Sequence, residues 1–81
     1  MDIARLIHMA NQVGAYFEAE PERSAARAGV ADHLARFWEP RMRALILAYL
    51  DQAEEGDALS PLVREALLEH RARLARRGAV P

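Results

Sequence analysis

Three internal prolines divide this 81-residue chain at nearly regular intervals, and they constrain its fold more than any other feature. Pro21, Pro40 and Pro61 each follow Glu or Ser, as expected of a proline in the first position of a helix. Between them, apolar residues recur at helical spacing, and no run alternates apolar with polar residues as a strand does. The sequence therefore predicts an all-α fold, a small bundle of about four helices near residues 3–19, 21–38, 40–54 and 61–77, with one loop over 55–59.

The length and the lack of cysteine limit how such a bundle can be stabilised. The 81 residues are expected to form one domain, 1–81, with a frayed tail over 75–81, and a chain this short buries only about 60% of its unfolded surface. With no Cys, disulfides and thiolate metal sites are excluded, which leaves a protein partner as the expected source of extra stability. We find no membrane span and no signal peptide in the sequence, so a cytoplasmic location is expected.

Each predicted helix carries an apolar stripe of the width expected for a core-facing surface. Gly14 and Gly29 lie inside helices, where they are expected to let two helices approach closely. The predicted stripes are Ile3, Leu6, Ile7, Ala10, Val13, Gly14 and Phe17 in the first helix; Ala26, Val30, His33, Leu34 and Phe37 in the second; Met42, Leu45, Ile46, Tyr49 and Ala53 in the third; and Leu62, Val63, Ala66, Leu67 and Leu74 in the fourth. Five other apolar side chains miss the stripes and predict a second apolar surface for a partner, unless they are ordinary exposed hydrophobes. These five are Met9, Tyr16, Trp38, Leu47 and Leu68.

Residues 33–43 hold most of the distinctive side chains, including the only Trp. A proline lies close behind the Phe37–Trp38 pair, so the chain must turn sharply there. Adjacent residues on a helix point about 100° apart, so Phe37 is expected to face inward and Trp38 sideways. We predict that Trp38 is an anchor in a partner's groove, with Arg41 and Arg43 as contacts at its rim. The alternative is that Trp38 fills the corner between two helices.

Asn11 and Gln12 lie off the apolar stripe of the first helix. Their amides either bond to the backbone of a partner or are solvated, and the sequence leaves both open. The predicted partner interface consists of Met9, Asn11, Gln12, Tyr16, Trp38, Arg41, Arg43 and Leu47.

The residue types that catalysis and metal binding require are missing or scattered. The chain has no Thr, no Cys and no Gly-rich phosphate loop, and His8, His33 and His70 lie on three different predicted helices. We therefore predict no catalytic residue, no metal site and no bound cofactor. Arginines cluster within residues 71–77, which fits either a DNA-binding surface or the solvated last turn of a helix. The net charge of −1 gives no general attraction to nucleic acid or membrane, and neither is an expected partner.

Three short motifs together resemble one known family. They are M-A-N-Q at residues 9–12, F-W-E-P-R-M-R at residues 37–43 and L-S-P-L at residues 59–62. In this order and at this spacing, over about residues 3–67, the chain resembles the small delta subunit of the cytoplasmic, NAD-dependent, molybdenum-containing formate dehydrogenases. Val13, Gly14 and Tyr16 depart mildly from the bulkier or Phe-type residues common in that family.

The resemblance implies a non-catalytic accessory subunit. In that family other chains convert formate and NAD⁺ into carbon dioxide and NADH, and they hold the molybdenum cofactor, iron–sulfur clusters and FMN. The implied partner is the catalytic alpha subunit with its associated subunits, on which this chain would dock and which it would stabilise. Two alternatives stay open, a maturation factor that assists insertion of the molybdenum cofactor and then leaves, and a small DNA-binding regulator.

Overall fold

The computed structural model describes residues 2–53 and 58–76, and most of them lie in helices. In chain order the helices are α1 (Ile3–Phe17), α2 (Arg23–Phe37), α3 (Pro40–Gln52), α4 (Pro61–Glu69) and α5 (Arg71–Leu74). No strand occurs in this part of the chain, so the predicted all-α fold is confirmed.

Prolines and caps set where α3 and α4 begin. Pro40 and Pro61 are the first residues of these two helices, as predicted, because a helix has no use for the N–H that proline lacks at that position. Ser60 caps α4, and its hydroxyl accepts a backbone N–H of the first turn at 3.4 Å.

Helix α2 begins later than predicted. Its first residue is Arg23 and not Pro21, because Glu22 takes the capping position. The carboxylate of Glu22 accepts from the backbone N–H of Ser24 at 3.0 Å and from the Ser24 hydroxyl at the same distance. Because the helix begins after this cap, Pro21 lies outside it.

The predicted helix over residues 61–77 is wrong in its second half. It is interrupted at His70, whose backbone (φ −108°, ψ 24°) leaves the helical region before the short α5. The other helix ends differ from the prediction by one or two residues. Most of the predicted loop over 55–59 and most of the predicted frayed tail over 75–81 lie outside the described residues.

One core joins all five helices, with α2 packed against α1, α4 and α5. Its large, fully buried side chains are Leu6, Val30, Leu34, Ile46, Leu62, Val63, Leu67 and Leu74. All eight belong to the apolar stripes that the sequence predicts. The stripes of α1, α2 and α4 are therefore confirmed where they supply this core.

Gly14 allows α1 to lie directly against the start of α4. A Cβ at this position would lie 2.6 Å from Val63 Cγ2 and 3.3 Å from the Ser60 hydroxyl oxygen, well inside contact distance. At Gly29 the ring of Phe17 occupies the corresponding space. The predicted use of both glycines for close approach between helices is confirmed.

Arginine–carboxylate pairs fasten the outer side of α2 to α4 and α5. Arg23 donates two parallel hydrogen bonds to the carboxylate of Glu65, at 2.9 and 3.0 Å, and Arg73 donates one to Asp32 at 3.0 Å. The bonds from Arg23 lower the pKa of Glu65, and those from Arg73, followed by Arg36, lower the pKa of Asp32. The pairs are partly exposed, so salt and water screen them.

Replacing Gly14 by Ala should lower the free energy of unfolding. The added methyl group overpacks the contact with Val63, which typically costs about 1–3 kcal/mol, whereas the better helix propensity of Ala returns at most about 1 kcal/mol. Gly29→Ala should cost less, because the Phe17 ring is half-exposed and can move outward. Urea titration followed by circular dichroism measures both. A Gly14→Ala variant as stable as the wild type would contradict the close approach of α1 and α4.

The fold should also lose stability in acid. Glu65 and Asp32 have lower pKa values in the folded chain than in the unfolded chain, so the unfolded chain takes up protons first as the pH falls. Their contribution is complete at neutral pH and is lost as the pH falls through their ordinary values of 4.5 and 3.8 and below. The urea midpoint should therefore fall over this interval. In a Glu65→Gln variant the urea midpoint should fall less steeply as the pH is lowered. The same pH dependence in the variant and the wild type would argue against a contribution from the Arg23–Glu65 pair.

Candidate partner-docking site

The eight residues predicted to contact a partner lie at very different depths in the structure. Three are exposed, two are half-buried and three are buried. In that order they are Gln12, Tyr16 and Arg41, then Met9 and Asn11, then Trp38, Arg43 and Leu47. The structure therefore does not bring the eight together on one surface.

Trp38 is buried, with 6% of its surface accessible, and it belongs to the core. It is the first residue beyond α2 and its backbone is extended (φ −92°, ψ 140°), so its side chain does not follow the helical step from Phe37. Phe37 is instead 71% exposed. The expectation that Phe37 faces inward and Trp38 projects sideways is wrong, and the alternative, in which the indole fills the corner between two helices, describes the structure. Trp38 keeps 6% of its surface accessible, and its contact with a partner stays a prediction.

Leu47 is buried as well, because the inner face of α3 differs from the predicted stripe. The buried residues of α3 are Arg43, Ile46, Leu47 and Leu50, spaced as one continuous helix face. The predicted stripe shares only Ile46 with this set and includes Leu45, which is exposed. The predicted stripe contains apolar residues only. The buried face of α3 begins with the charged residue Arg43, so the prediction places the face in the wrong position.

Arg43 lies inside the fold, with 6% of its surface accessible, and is not an exposed side chain as a rim position requires; its contact with a partner stays a prediction. Its Nε donates to the Leu74 carbonyl at 3.0 Å, and the two terminal nitrogens donate to Trp38 at 2.6 Å and to Arg76 at 2.9 Å. A longer bond of 3.4 Å reaches Ala35. These carbonyls lie at the C-terminal ends of α2 and α5, where a helix has no partners of its own for them.

Asn11 bonds within the chain instead of to solvent. Its amide nitrogen donates to the Ala58 carbonyl at 2.8 Å, and its amide oxygen accepts from the Ser60 N–H at 2.9 Å. The Tyr49 hydroxyl accepts from the Ala58 N–H at 3.3 Å. Asn11 therefore fixes the segment that leads into α4. Gln12, the neighbouring residue, is exposed and stays a predicted partner contact.

An exposed row of aromatic rings crosses from α1 to α2. Tyr16 is 77% exposed and meets Phe17 edge to face, with the ring centroids 5.0 Å apart. On α2, the His33 ring lies 4.9 Å from that of Phe37 in a tilted arrangement. A concavity of about 320 Å³, lined by Val13, Tyr16, Phe17 and His33, joins the two pairs. We call Tyr16, Phe17, His33 and Phe37 the aromatic strip.

Only part of the aromatic strip follows from the sequence. Tyr16 is a predicted contact, and its exposure is confirmed. Phe37 is missed because it was assigned to the core. The available signal was the spacing of Gly29, His33 and Phe37, four residues apart on one face of α2, where the glycine makes room for Phe17 of the neighbouring helix.

The described residues show no metal-binding group and no membrane span. Over residues 2–53 and 58–76, no cluster of three or more His, Cys, Asp or Glu side chains is placed to hold a metal ion. Within the same ranges, none of the helices has the length and apolar character needed to cross a bilayer.

Comparison with known proteins identifies one family. The family model described as the NADH-dependent formate dehydrogenase delta subunit FdsD matches residues 5–67. This match covers α2 and α3 completely and most of α1 and α4. No curated protein and no solved structure matches the chain.

Replacing Arg43 by Met should destabilise the chain by about 3 kcal/mol or more, because several buried carbonyls lose a charged donor. The side chain of Met keeps the apolar stem of Arg but has no N–H donor. Since a domain of this size has only about 3–5 kcal/mol of net stability, the variant should keep at most about 2 kcal/mol and unfold at a much lower urea concentration, as followed by circular dichroism. Arg41→Met is the matched control, because Arg41 is exposed and carries the same charge. Equal urea midpoints for the two variants would show that the buried guanidinium contributes little.

Proposed function

The chain belongs to the family of NADH-dependent formate dehydrogenase delta subunits, and from this premise we propose that it is a non-catalytic subunit that docks on the catalytic subunit and stabilises the assembled enzyme. The complex would oxidise formate to carbon dioxide and reduce NAD⁺ in the cytoplasm. The expected partners are the catalytic alpha subunit and its associated subunits. The molybdenum cofactor, iron–sulfur clusters and FMN would be held by these other chains.

The observation that carries the docking proposal is the aromatic strip. Tyr16 and Phe37 are each more than two-thirds exposed, although the chain buries its only Trp and most of its large aliphatic side chains. Aromatic side chains are enriched at the centres of protein interfaces, where they bury a large area at a small entropic cost. The concavity beside Tyr16 offers room for a side chain of the partner. The strip therefore has the composition and shape of a docking surface.

Stabilisation of the complex follows from binding linkage. A chain that binds the folded catalytic subunit, and not its unfolded form, shifts the equilibrium by mass action toward the folded enzyme with its cofactors bound. The linkage acts in both directions, because a domain of this size is only marginally stable and gains stability when a partner covers its apolar surface. No chemistry by this chain is needed for such an effect.

The sequence supports the placement of the redox groups in other subunits. Iron–sulfur clusters are held mainly by Cys thiolates, and the chain contains no Cys. It also has no Gly-rich loop of the kind that cradles the phosphates of NAD or FMN.

Removing both exposed rings of the aromatic strip should weaken docking without unfolding the chain. A Tyr16→Ala/Phe37→Ala double variant should bind the catalytic subunit more weakly by about 2 kcal/mol or more, as expected when the anchors of an interface are truncated. The measurement is co-purification of the variant with the other subunits after co-expression, together with molybdenum and iron content and NADH formation from formate. Leu68→Ala is the matched control, since Leu68 is an exposed hydrophobe on α4, away from the strip.

Three outcomes would change the proposal, one from the double variant and two from preparations expressed without the chain. Normal co-purification of the double variant would exclude the aromatic strip as the docking surface. Equal metal content and turnover in preparations made without the chain would exclude the stabilising role. If the chain is needed during synthesis, is absent from the purified enzyme and restores nothing when it is added later, it acts as a maturation factor and not as a permanent subunit.

A further inference from the structure

A second surface of different chemistry lies where α2, α3 and α5 meet. Two adjoining cavities of about 390 and 260 Å³ open there, and they share Pro40 and Arg76 in their walls. Five arginines line them, and we call this surface the arginine groove. These are Arg36, Arg41, Arg43, Arg73 and Arg76.

The arginine groove carries an excess of positive charge. Asp32 pairs with both Arg36 and Arg73, each at 3.0 Å. Within the described residues, no carboxylate lies within 4.0 Å of any of the other three arginines of the groove. The carboxylate of Glu39, which precedes Pro40, does not come within 4.0 Å of any of the five guanidinium groups. Because the whole chain has a net charge of −1, this concentration of cations is local.

Arg43 makes the floor of the groove rigid. Its guanidinium is buried and held by carbonyls at the ends of α2 and α5, so it keeps its position without a bound ligand. Arg41 and Arg76 lie beside it on exposed positions, where no carboxylate of the described residues pairs with their planar forks. A buried, fixed cation with two such exposed cations beside it is an arrangement suited to carboxylates.

We propose that the arginine groove binds an acidic peptide segment of a partner protein. Two concavities side by side fit an extended chain that presents carboxylates at two positions, whereas a single small anion would fill only one of them. Charge complementarity identifies the ligand as acidic, and the two adjoining cavities favour an extended segment over a small anion. This inference does not rest on docking through the aromatic strip, because the groove is formed by other side chains and can be tested without the formate dehydrogenase subunits.

The test uses the full chain and a fluorescently labelled hexaglutamate peptide, with binding followed by anisotropy at low ionic strength. Arg41→Ala/Arg76→Ala should bind about tenfold more weakly, because two exposed charge pairs are lost while both residues keep their backbone contacts. Arg23→Ala is the matched control. It removes one equal charge about 20 Å from Arg36 along α2, and its affinity should change by less than about twofold. Tyr16→Ala/Phe37→Ala should bind the peptide normally, which separates this surface from the strip.

Binding of the peptide should also weaken steeply with added salt, as expected of exposed charges. Equal affinity of the wild type and the Arg41→Ala/Arg76→Ala variant would overturn the proposal, as would the absence of any binding. Displacement of the peptide by inorganic phosphate at an equal concentration would show a site for small anions only. Tighter binding of a short DNA duplex than of hexaglutamate, lost in the same double variant, would show a nucleic-acid site instead.

Discussion

The carbonyl groups at the ends of α2 and α5 converge on one guanidinium, that of Arg43, and the corner of the bundle depends on this contact. Every helix ends in carbonyls that have no partner in the helix itself, and in a short chain these ends fall close to the core. Arg supplies up to five N–H donors in one plane and keeps its charge. The negative end of each helix dipole offsets part of the cost of burying that charge.

The same corner determines what the protein presents to its surroundings. Because the chain leaves α2 in an extended conformation at Trp38, the indole turns into the core. Phe37, the last residue of α2, stays outside on the helix face that also carries Gly29 and His33. Phe37 belongs to the aromatic strip, while Arg36, one residue earlier, belongs to the arginine groove. The end of α2 thus contributes to two surfaces of opposite chemistry, one aromatic and one basic. A large partner can use both at once, the first for affinity and the second for orientation.

Local sequence patterns predicted the helices, the two proline starts and most of the core, because helix periodicity and capping are properties of neighbouring residues. The use of Gly14 was also predictable, since a glycine inside a helix needs a reason in packing. The burial of Arg43 was not, because its acceptors at Leu74 and Arg76 lie 31 and 33 residues away and carry no signal in side-chain type. The burial of Trp38 followed from a backbone angle at a helix end, where the rotation rule for helices ceases to apply.

The bonds that Asn11 and Tyr49 make to Ala58 have a practical consequence for engineering the chain. They fix the point at which the backbone re-enters the bundle, and with it the start of α4. The free energy of closing a loop rises only logarithmically with its length, at about 0.6 kcal/mol per doubling. A longer connection between Ala53 and Ala58 should therefore cost the fold little, so an affinity tag or a fluorophore can be inserted between these two residues.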